Sequence, residues 1–301
     1  MNNLVKDHAL FLTKSAEIET KISKLLNNTS VLPTNQKQLL ELLDLADDVD
    51  TLNSQLIQSL KSLENFSKRL VLRTKIRAKL QDLKPVTDAD LQRLVQMLGY
   101  SIIRDEAEAS ILLDYLHLAK KVKNRHQRTL LKNAVWNAKI ARGLAEMMQV
   151  SNSREAFFAG LNFHVGKLLL ALNDERSYEE IEKMKLMGMD SASAESAILG
   201  FSVSELAKRF LLNQKLPDAV IDVVVNGHER KNKTENDVLL SIVSFADVIV
   251  KAINEERRSL VEVWHESKNF LQELKLDISF DEWNRQIKLI FFRLVKFENE
   301  V

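Results

Sequence analysis

One histidine lies inside one of the most apolar segments of the sequence, and histidine can bind a metal or transfer a proton near neutral pH. His164 belongs to AFFAGLNFHVGKLLL, residues 156–170, where Gly160 and Gly166 lie on either side of it. Each glycine lowers the propensity of a helix by about 1 kcal/mol. Their presence therefore predicts close packing or a bend around the histidine.

Two later segments add titratable side chains. The first, ESAILGFSVSELAKRFLLNQKLPDAVIDVVVNGHE, begins at Glu195 and has His228 near its end. The second, LLSIVSFADVIV, carries Asp247 in an otherwise apolar run. A buried carboxylate needs a partner that offsets its loss of hydration. We expect His228 or Trp136 to be that partner.

Together these segments resemble the HDOD family, a divergent branch of the HD phosphohydrolase superfamily. The usual wording of that family is GLLHDIGxLLL, then a segment E-x-x-x-x-G-x-x-H that ends in Leu-Pro, an HH pair and a final Ala-Asp. Leu32-Pro33 and Met97-Leu98-Gly99 resemble its N-terminal elements. The resemblance covers about residues 20–255. It implies a compact multi-helix fold in which an N-terminal helical half packs on a degenerate HD half.

The resemblance also implies a site to test. HD enzymes hold one or two divalent metals through His and Asp side chains, and the metal activates water for attack on phosphorus. The corresponding positions here are Ala138, Phe163, His164, Ser202, Gly227, His228 and Asp247. Alanine, phenylalanine and glycine side chains have no lone pair to donate, and serine is a weak ligand. No metal and no cofactor are therefore expected, and these positions, with Glu195, would form a vestigial pocket.

The histidines also have simpler interpretations. With apolar neighbours on both sides, His164 is expected to be a core or pocket histidine rather than a ligand. His228 is followed by Glu229, and it fits either a surface or a pocket position. On this interpretation Gly160 and Gly166 are close-packing positions.

Basic side chains are dense in two stretches, residues 68–79 and 120–132. Both are interpreted as solvated helix faces, the usual role of such charge runs. Neither has alternating aromatic side chains on which bases could stack. Phosphate binding stays open as an alternative for four cations, which are Lys167, Lys68, Arg69 and Arg73.

The elements that position these residues are predicted to be helices throughout. Only 7 Gly and 3 Pro occur among 301 residues, so the turns that a barrel or sandwich needs are scarce. Leu, Lys, Glu, Ala and Gln dominate, and these are helix formers. The fold class is therefore all-α. Helices are predicted near residues 3–27, 104–120, 127–149, 154–172, 192–212, 217–227 and 235–255, with a last amphipathic helix after the capping box of Ser279 and Glu282.

Four parts are expected along the chain. They are an N-terminal helix (1–28), an N-terminal helical half (29–126), a degenerate HD-like half (127–256) and a C-terminal helical extension (257–301). With 43 basic and 42 acidic residues, the net charge gives no signal for nucleic acid or an anionic membrane. Cysteine is absent, which excludes disulfides and thiolate sites. The N-terminus lacks the pattern of a signal peptide, so the cytoplasm is the expected location.

The resemblance implies a non-catalytic bacterial signal-transduction or regulatory protein that acts as a helical scaffold for protein–protein interaction. Other signalling proteins are its expected partners, and a homodimer stays open. Two alternatives stay open as well. One is a metal-dependent phosphohydrolase with an eroded site, and the other is a nucleotide- or phosphate-sensing module that uses the old pocket.

Overall fold

Helices are the regular elements throughout the described part of the chain. The computed structural model describes residues 2–27, 32, 36–48, 53–63, 66–71, 88–149, 153–227, 237–254, 258–259, 261–265 and 279–299. Its longer helices are α1 (Asn2–Asn27), α2 (Gln36–Asp47), α3 (Asn53–Ser62), α4 (Asp88–Lys121), α5 (Arg125–Met147), α6 (Ser153–Asn162), α7 (Val165–Asn173), α8 (Glu175–Leu186), α9 (Ser191–Leu199), α10 (Val203–Asn213), α11 (Asp218–Asn226), α12 (Asp237–Asn254) and α13 (Phe280–Asn299). This confirms the all-α prediction.

The chain divides into two compact units, and the smaller one is Pro33–Tyr115. Its helices α2 and α3 pack together through leucines that include Leu39, Leu43 and Leu56, all fully buried. Helix α4 is kinked at Gly99. Gly99 has φ 73° and ψ 167° there, a conformation that glycine adopts without steric cost.

The larger unit comprises Met1–Leu32 and Leu116–Val301. Helix α5 is at its centre and contacts α6, α7, α12 and α13. Helix α1 packs on α7 and α10, with Ile22 and Leu25 buried. Apolar burial of this kind stabilises a helical unit by about 25 cal/mol per Å² of surface removed from water. Helix α5 thereby holds the segments that carry His164 and Asp247 against one another.

The segment predicted as one helix at 154–172 forms two helices, α6 and α7. His164 takes the N-cap position of α7 with φ −113° and ψ 22°. The flanking glycines permit close backbone approach on each side of the break. A Cβ on Gly160 would lie 2.6 Å from the carbonyl oxygen of Asn137, and one on Gly166 would collide with the carbonyl oxygen of Val203.

The segment predicted at 192–212 is likewise divided. Gly200 ends α9 in the left-handed region, and Ser202 begins α10. Helix α8 was not predicted, and only one of its residues, Ile181, is fully buried. Ser153–Asn173 is long and apolar enough to span a membrane by length and composition, but 78% of that window is buried inside the fold.

Candidate functional site

The carboxylate of Asp247 is the centre of a buried polar cluster. It is 5% exposed. Its Oδ1 atom accepts hydrogen bonds from His164 Nε2 at 2.7 Å and from Asn137 Nδ2 at 3.2 Å. Its Oδ2 atom lies 2.7 Å from the Nζ atom of Lys251. Both carboxylate oxygens are therefore bonded to groups of the chain itself. Trp136 is not among these partners.

Three structural elements bring the cluster together. Helix α5 supplies Asn137, the break between α6 and α7 supplies His164, and α12 supplies both Asp247 and Lys251. Asp247 and Lys251 are four residues apart, so they lie on one face of α12. The cluster thus depends on the packing of α6 and α12 against α5, which no local sequence pattern reveals.

The charges around Asp247 favour its ionised form. Burial by itself raises the pKa of this carboxyl. The hydrogen bond and charge of His164, together with the ammonium of Lys251, outweigh burial and hold the pKa of Asp247 well below its usual value. Asp247 is therefore an anion whose charge is compensated within the fold.

A cavity of about 710 Å³ opens beside this cluster. Its walls come from α5, α7, α8 and α12 together with the break at His164. The lining residues are Arg125, His126, Thr129, Leu130, Asn133, His164, Lys167, Tyr178, Glu182, Lys185, Lys251 and Asn254. Four of them are lysines or arginines, and one is a carboxylate.

Lys167 is half-buried on the wall of the cavity. Burial lowers the pKa of Lys167, and the neighbouring ammoniums of Lys185 and Lys251 lower it further. Glu182 and Asp247 act in the opposite direction without reversing the shift. Crowding of cations in a partly dehydrated space is electrostatically unfavourable, so this wall of the cavity would be stabilised by an anion.

The donor set at the positions that hold metal ligands in the resembled family does not fit a hydrolytic metal centre. Ala138 and Phe163 offer no donor atom, and both oxygens of Asp247 are already bonded to the chain. Across the described ranges, no group of three His, Cys, Asp or Glu side chains could hold a metal ion. His228, one of the candidates from the sequence, lies outside the described residues.

Two of the sequence candidates serve as helix caps. Ser202 is exposed, and its Oγ atom accepts a hydrogen bond from the backbone N–H of Glu205 at 3.2 Å. Glu195 is buried, and its Oε2 atom accepts one from the backbone N–H of Val203 at 2.8 Å. Both side chains thus satisfy N–H groups in the first turn of α10. Neither is among the partners of Asp247.

Phe163 and Ala138 belong to the apolar packing near the site. Phe163 is 5% exposed, and its ring lies edge-on to that of His164 with centroids 5.1 Å apart. A Cβ added to Gly227 would lie 3.7 Å from the Phe163 ring. An apolar ring therefore lies between two positions at which the resembled family has metal ligands.

The basic candidates divide between the two units. Lys167 lines the cavity in the larger unit. Lys68 and Arg69 are in the smaller unit, where Lys68 is exposed and Arg69 contacts Asp114 at 2.8 Å and also Ser110. Arg73 lies outside the described residues.

Several residues of the site were not singled out from the sequence. Asn137 follows Trp136 directly, and Lys251 follows Asp247 by one helical turn. The spacing of Asp247 and Lys251 was a usable signal, since charges four residues apart on a helix interact. Arg125 and Lys185 carried no such signal, because tertiary packing alone brings them to the cavity.

Comparisons with known proteins find a matching family and solved structures of similar fold. The family model of the HDOD domain matches residues 84–230. A candidate phosphohydrolase from Shewanella amazonensis SB2B is similar over 92% of this chain and 96% of its own, with TM-score 0.61 and 19% identity. An HDOD domain protein of unknown function from Geobacter sulfurreducens is similar over 94% and 97%, with TM-score 0.59 and 17% identity. No curated protein matches the chain.

A third solved structure, a candidate signal transduction protein from Marinobacter aquaeolei VT8, is similar over 95% of this chain and 66% of its own. Its TM-score is 0.53, at 15% identity. Identities this low establish the fold alone. The family match adds the sequence signal and includes Phe163, His164 and Ser202, whereas Asp247 follows it. The resemblance seen in the residues is thereby confirmed, because the family model of the HDOD domain matches residues 84–230 of this chain.

Proposed function

We propose that this protein is a non-catalytic regulatory module, in which the site of an ancestral metal-dependent phosphohydrolase has become a charge cluster internal to the fold. The observation that carries this proposal is the bonding of Asp247. A hydrolytic metal needs free carboxylate or imidazole ligands and an open position for water. Here Lys251 and His164 bind the two oxygens of the carboxylate.

The module acts as a helical scaffold for other signalling proteins, in the cytoplasm. Helix α13 supports this role. Its residues Trp283 and Ile287 are fully buried, whereas Leu289, Phe292 and Val295 are exposed at 43%, 69% and 47%. These three residues, which we call the α13 stripe, are spaced three apart and so share one side of the helix. An exposed apolar stripe is typical of a surface that contacts another protein.

The names of two solved relatives are consistent with this proposal, one with the regulatory role and the other with the ancestry of the site. The Marinobacter protein is a candidate signal transduction protein, which agrees with a regulatory role. The Shewanella protein is a candidate phosphohydrolase, which agrees with the ancestry of the site. The hydrolase alternative for this chain is disfavoured by its own residues, because Ala138 and Phe163 replace two ligands of the resembled family.

Elemental analysis tests the loss of the metal site. The full chain is purified without chelator and without a histidine tag, then assayed for Mn, Fe, Ni and Zn. We expect less than about 0.1 metal per chain, since scattered histidines bind metals weakly. We also expect no turnover of phosphodiester or nucleotide substrates when these ions or Mg²⁺ are added. Near-stoichiometric metal, or turnover that is lost in Asp247→Asn, would contradict the proposal.

A further inference from the structure

The cavity beside Asp247 has a distribution of charge that differs from the rest of the molecule. The whole chain has 43 basic and 42 acidic residues. In contrast, the cavity is lined by four lysines or arginines and one carboxylate, Glu182. Even when Asp247 beneath His164 is counted, cations outnumber carboxylates. A local excess of positive charge within low-dielectric walls concentrates anions far more than the net charge would suggest.

Two of the four cations have an ion-pair partner, and the other two have none among the described residues. Lys185 contacts Glu182 at 2.6 Å, and Lys251 contacts Asp247 at 2.7 Å. Lys167 and Arg125 make no side-chain hydrogen bond or ion pair with another described residue. Lys167 is on α7 and Arg125 is on the first turn of α5, so they reach the cavity from different helices.

The remaining lining matches a phosphorylated ligand better than an apolar one. Thr129, Asn133, Tyr178 and Asn254 provide hydroxyl and amide groups, a type of group that can donate hydrogen bonds to phosphate oxygens. Within this set, Asn254 Nδ2 donates to Asn133 Oδ1 at 3.3 Å. Leu130 is the only aliphatic residue among the lining residues of this cavity. The volume of about 710 Å³ falls within the range of about 300–1,000 Å³ that small-molecule sites occupy.

We infer that this cavity binds a small diphosphate-containing anion, such as inorganic pyrophosphate or a nucleoside diphosphate, without hydrolysing it. Lys167 and Arg125 provide the two charges that have no ion-pair partner among the described residues, and the amide and hydroxyl groups orient the ligand. The inference rests on the proposed regulatory function and gives that function an input signal. A diphosphate is favoured over a single phosphate because the two free cations come from separate walls.

The test uses the full chain with inorganic pyrophosphate and ADP as probes, and with sodium sulfate at matched ionic strength as the reference. We expect both probes to raise the melting temperature above the sulfate reference, because a ligand that binds only the folded state stabilises it. Isothermal titration calorimetry then gives the dissociation constants. Equal affinity for both probes assigns recognition to the diphosphate, and tighter ADP binding adds a contact with the nucleoside.

Three variants assign the binding to the cavity. Lys167→Gln and Arg125→Gln are expected to weaken pyrophosphate binding at least about tenfold, since each removes a charge-assisted hydrogen bond. Lys208→Gln is the matched control, because Lys208 is exposed on α10 and does not line the cavity. Its affinity should remain within about twofold of the wild type. Arg125 is exposed at the rim, so its variant tests the site even if Lys167→Gln fails to fold.

Three results would overturn the inference. They are the absence of any rise in melting temperature beyond that in sulfate, a loss of affinity in Lys208→Gln equal to that in the two cavity variants, and tighter binding of a hexaglutamate peptide than of pyrophosphate.

Phosphorus NMR of each probe after incubation separates this inference from the proposed function. Bound but intact probe supports both, whereas hydrolysed probe would refute the non-catalytic function and leave the binding site standing. Failure to bind would refute only the binding site.

Discussion

At the scale of single residues, Asp247 contributes to stability through partners of unequal burial. The side chain of His164 is 12% exposed and that of Lys251 is 44% exposed. Asp247→Asn should therefore lower the free energy of unfolding by about 3 kcal/mol, the lower end of the cost of removing one partner of a buried pair. Lys251→Gln should cost about 1 kcal/mol or less, because solvent screens the ammonium. Urea unfolding measures both, and equal losses would contradict this ranking.

The same carboxyl predicts a dependence on pH. Its folded-state pKa lies below the unfolded value, for which 3.8 is the reference. The ionised form therefore stabilises the fold above the unfolded pKa, and this contribution is lost as pH falls through the folded-state pKa. In urea titrations, the stability gap between the wild type and Asp247→Asn should be constant above about pH 5 and should narrow below about pH 4. A gap that widens on acidification would show that the sign is wrong.

The sequence predicted part of this site. His164 and Asp247 were both singled out, and a buried carboxylate was expected to need a partner. The expected partners were His228 or Trp136. The structure pairs Asp247 with His164, Asn137 and Lys251 instead of Trp136, and His228 lies outside the described residues. His164 and Asp247 are 83 residues apart in the chain, and no local pattern encodes such a contact.

At the scale of helices, the two glycines around His164 have packing roles that a methyl group would disrupt. A Cβ at Gly160 meets backbone atoms of Asn137, and one at Gly166 meets the backbone of Val203. Backbone cannot move aside as a side chain can, so each Gly→Ala change should destabilise the fold by about 2 kcal/mol despite the gain in helix propensity. Thermal and urea unfolding measure the effect.

Gly143 on α5 provides the control for this prediction. A Cβ there meets the side-chain end of Ile290, which can change rotamer. Gly143→Ala should therefore remain within about 1 kcal/mol of the wild type, because better helix propensity offsets the small repacking cost. If Gly143→Ala were as destabilising as Gly166→Ala, the close-packing explanation would be wrong.

Helix prediction from the sequence succeeded where an apolar stripe was long and failed at short interruptions. The helices at 3–27 and 127–149 agree with α1 and α5 to within a few residues. The predicted helix at 154–172 is broken at Phe163 and His164, although the flanking glycines had indicated close packing or a bend. Helix α8, which packs on α7 and α9, was not predicted. Only one of its residues, Ile181, is fully buried.

At the scale of the whole molecule, the α13 stripe predicts contact with another protein. Phe292→Glu should leave the melting temperature unchanged, because Phe292 is 69% exposed. The same change should abolish chemical cross-linking to partners that the wild-type chain captures, since a buried charge at an apolar contact is costly. Lys288→Glu on the same helix is the control, and its capture should match that of the wild type. Unchanged capture by Phe292→Glu would contradict the role of the stripe.

Overall composition predicted the helical class but concealed the charge of the cavity. The near balance of 43 basic and 42 acidic residues gave no sign of an anionic ligand. Arg125, Lys167, Lys185 and Lys251 are spread over 127 positions of the chain and converge only in the fold. A sum over the sequence cannot show such a convergence, whereas helical periodicity repeats within each segment and can be read locally.

The ion pair of Asp247 and Lys251 has a consequence for the protein in the cell. The positive charge that compensates this carboxylate belongs to a side chain of the same helix. This charge is part of the polypeptide itself, so it requires no uptake of a metal ion and no chelator can remove it. If the metal site has been lost as proposed, the fold around Asp247 should be independent of how much manganese, iron or zinc the cell can acquire, and starvation for these elements should leave the module intact.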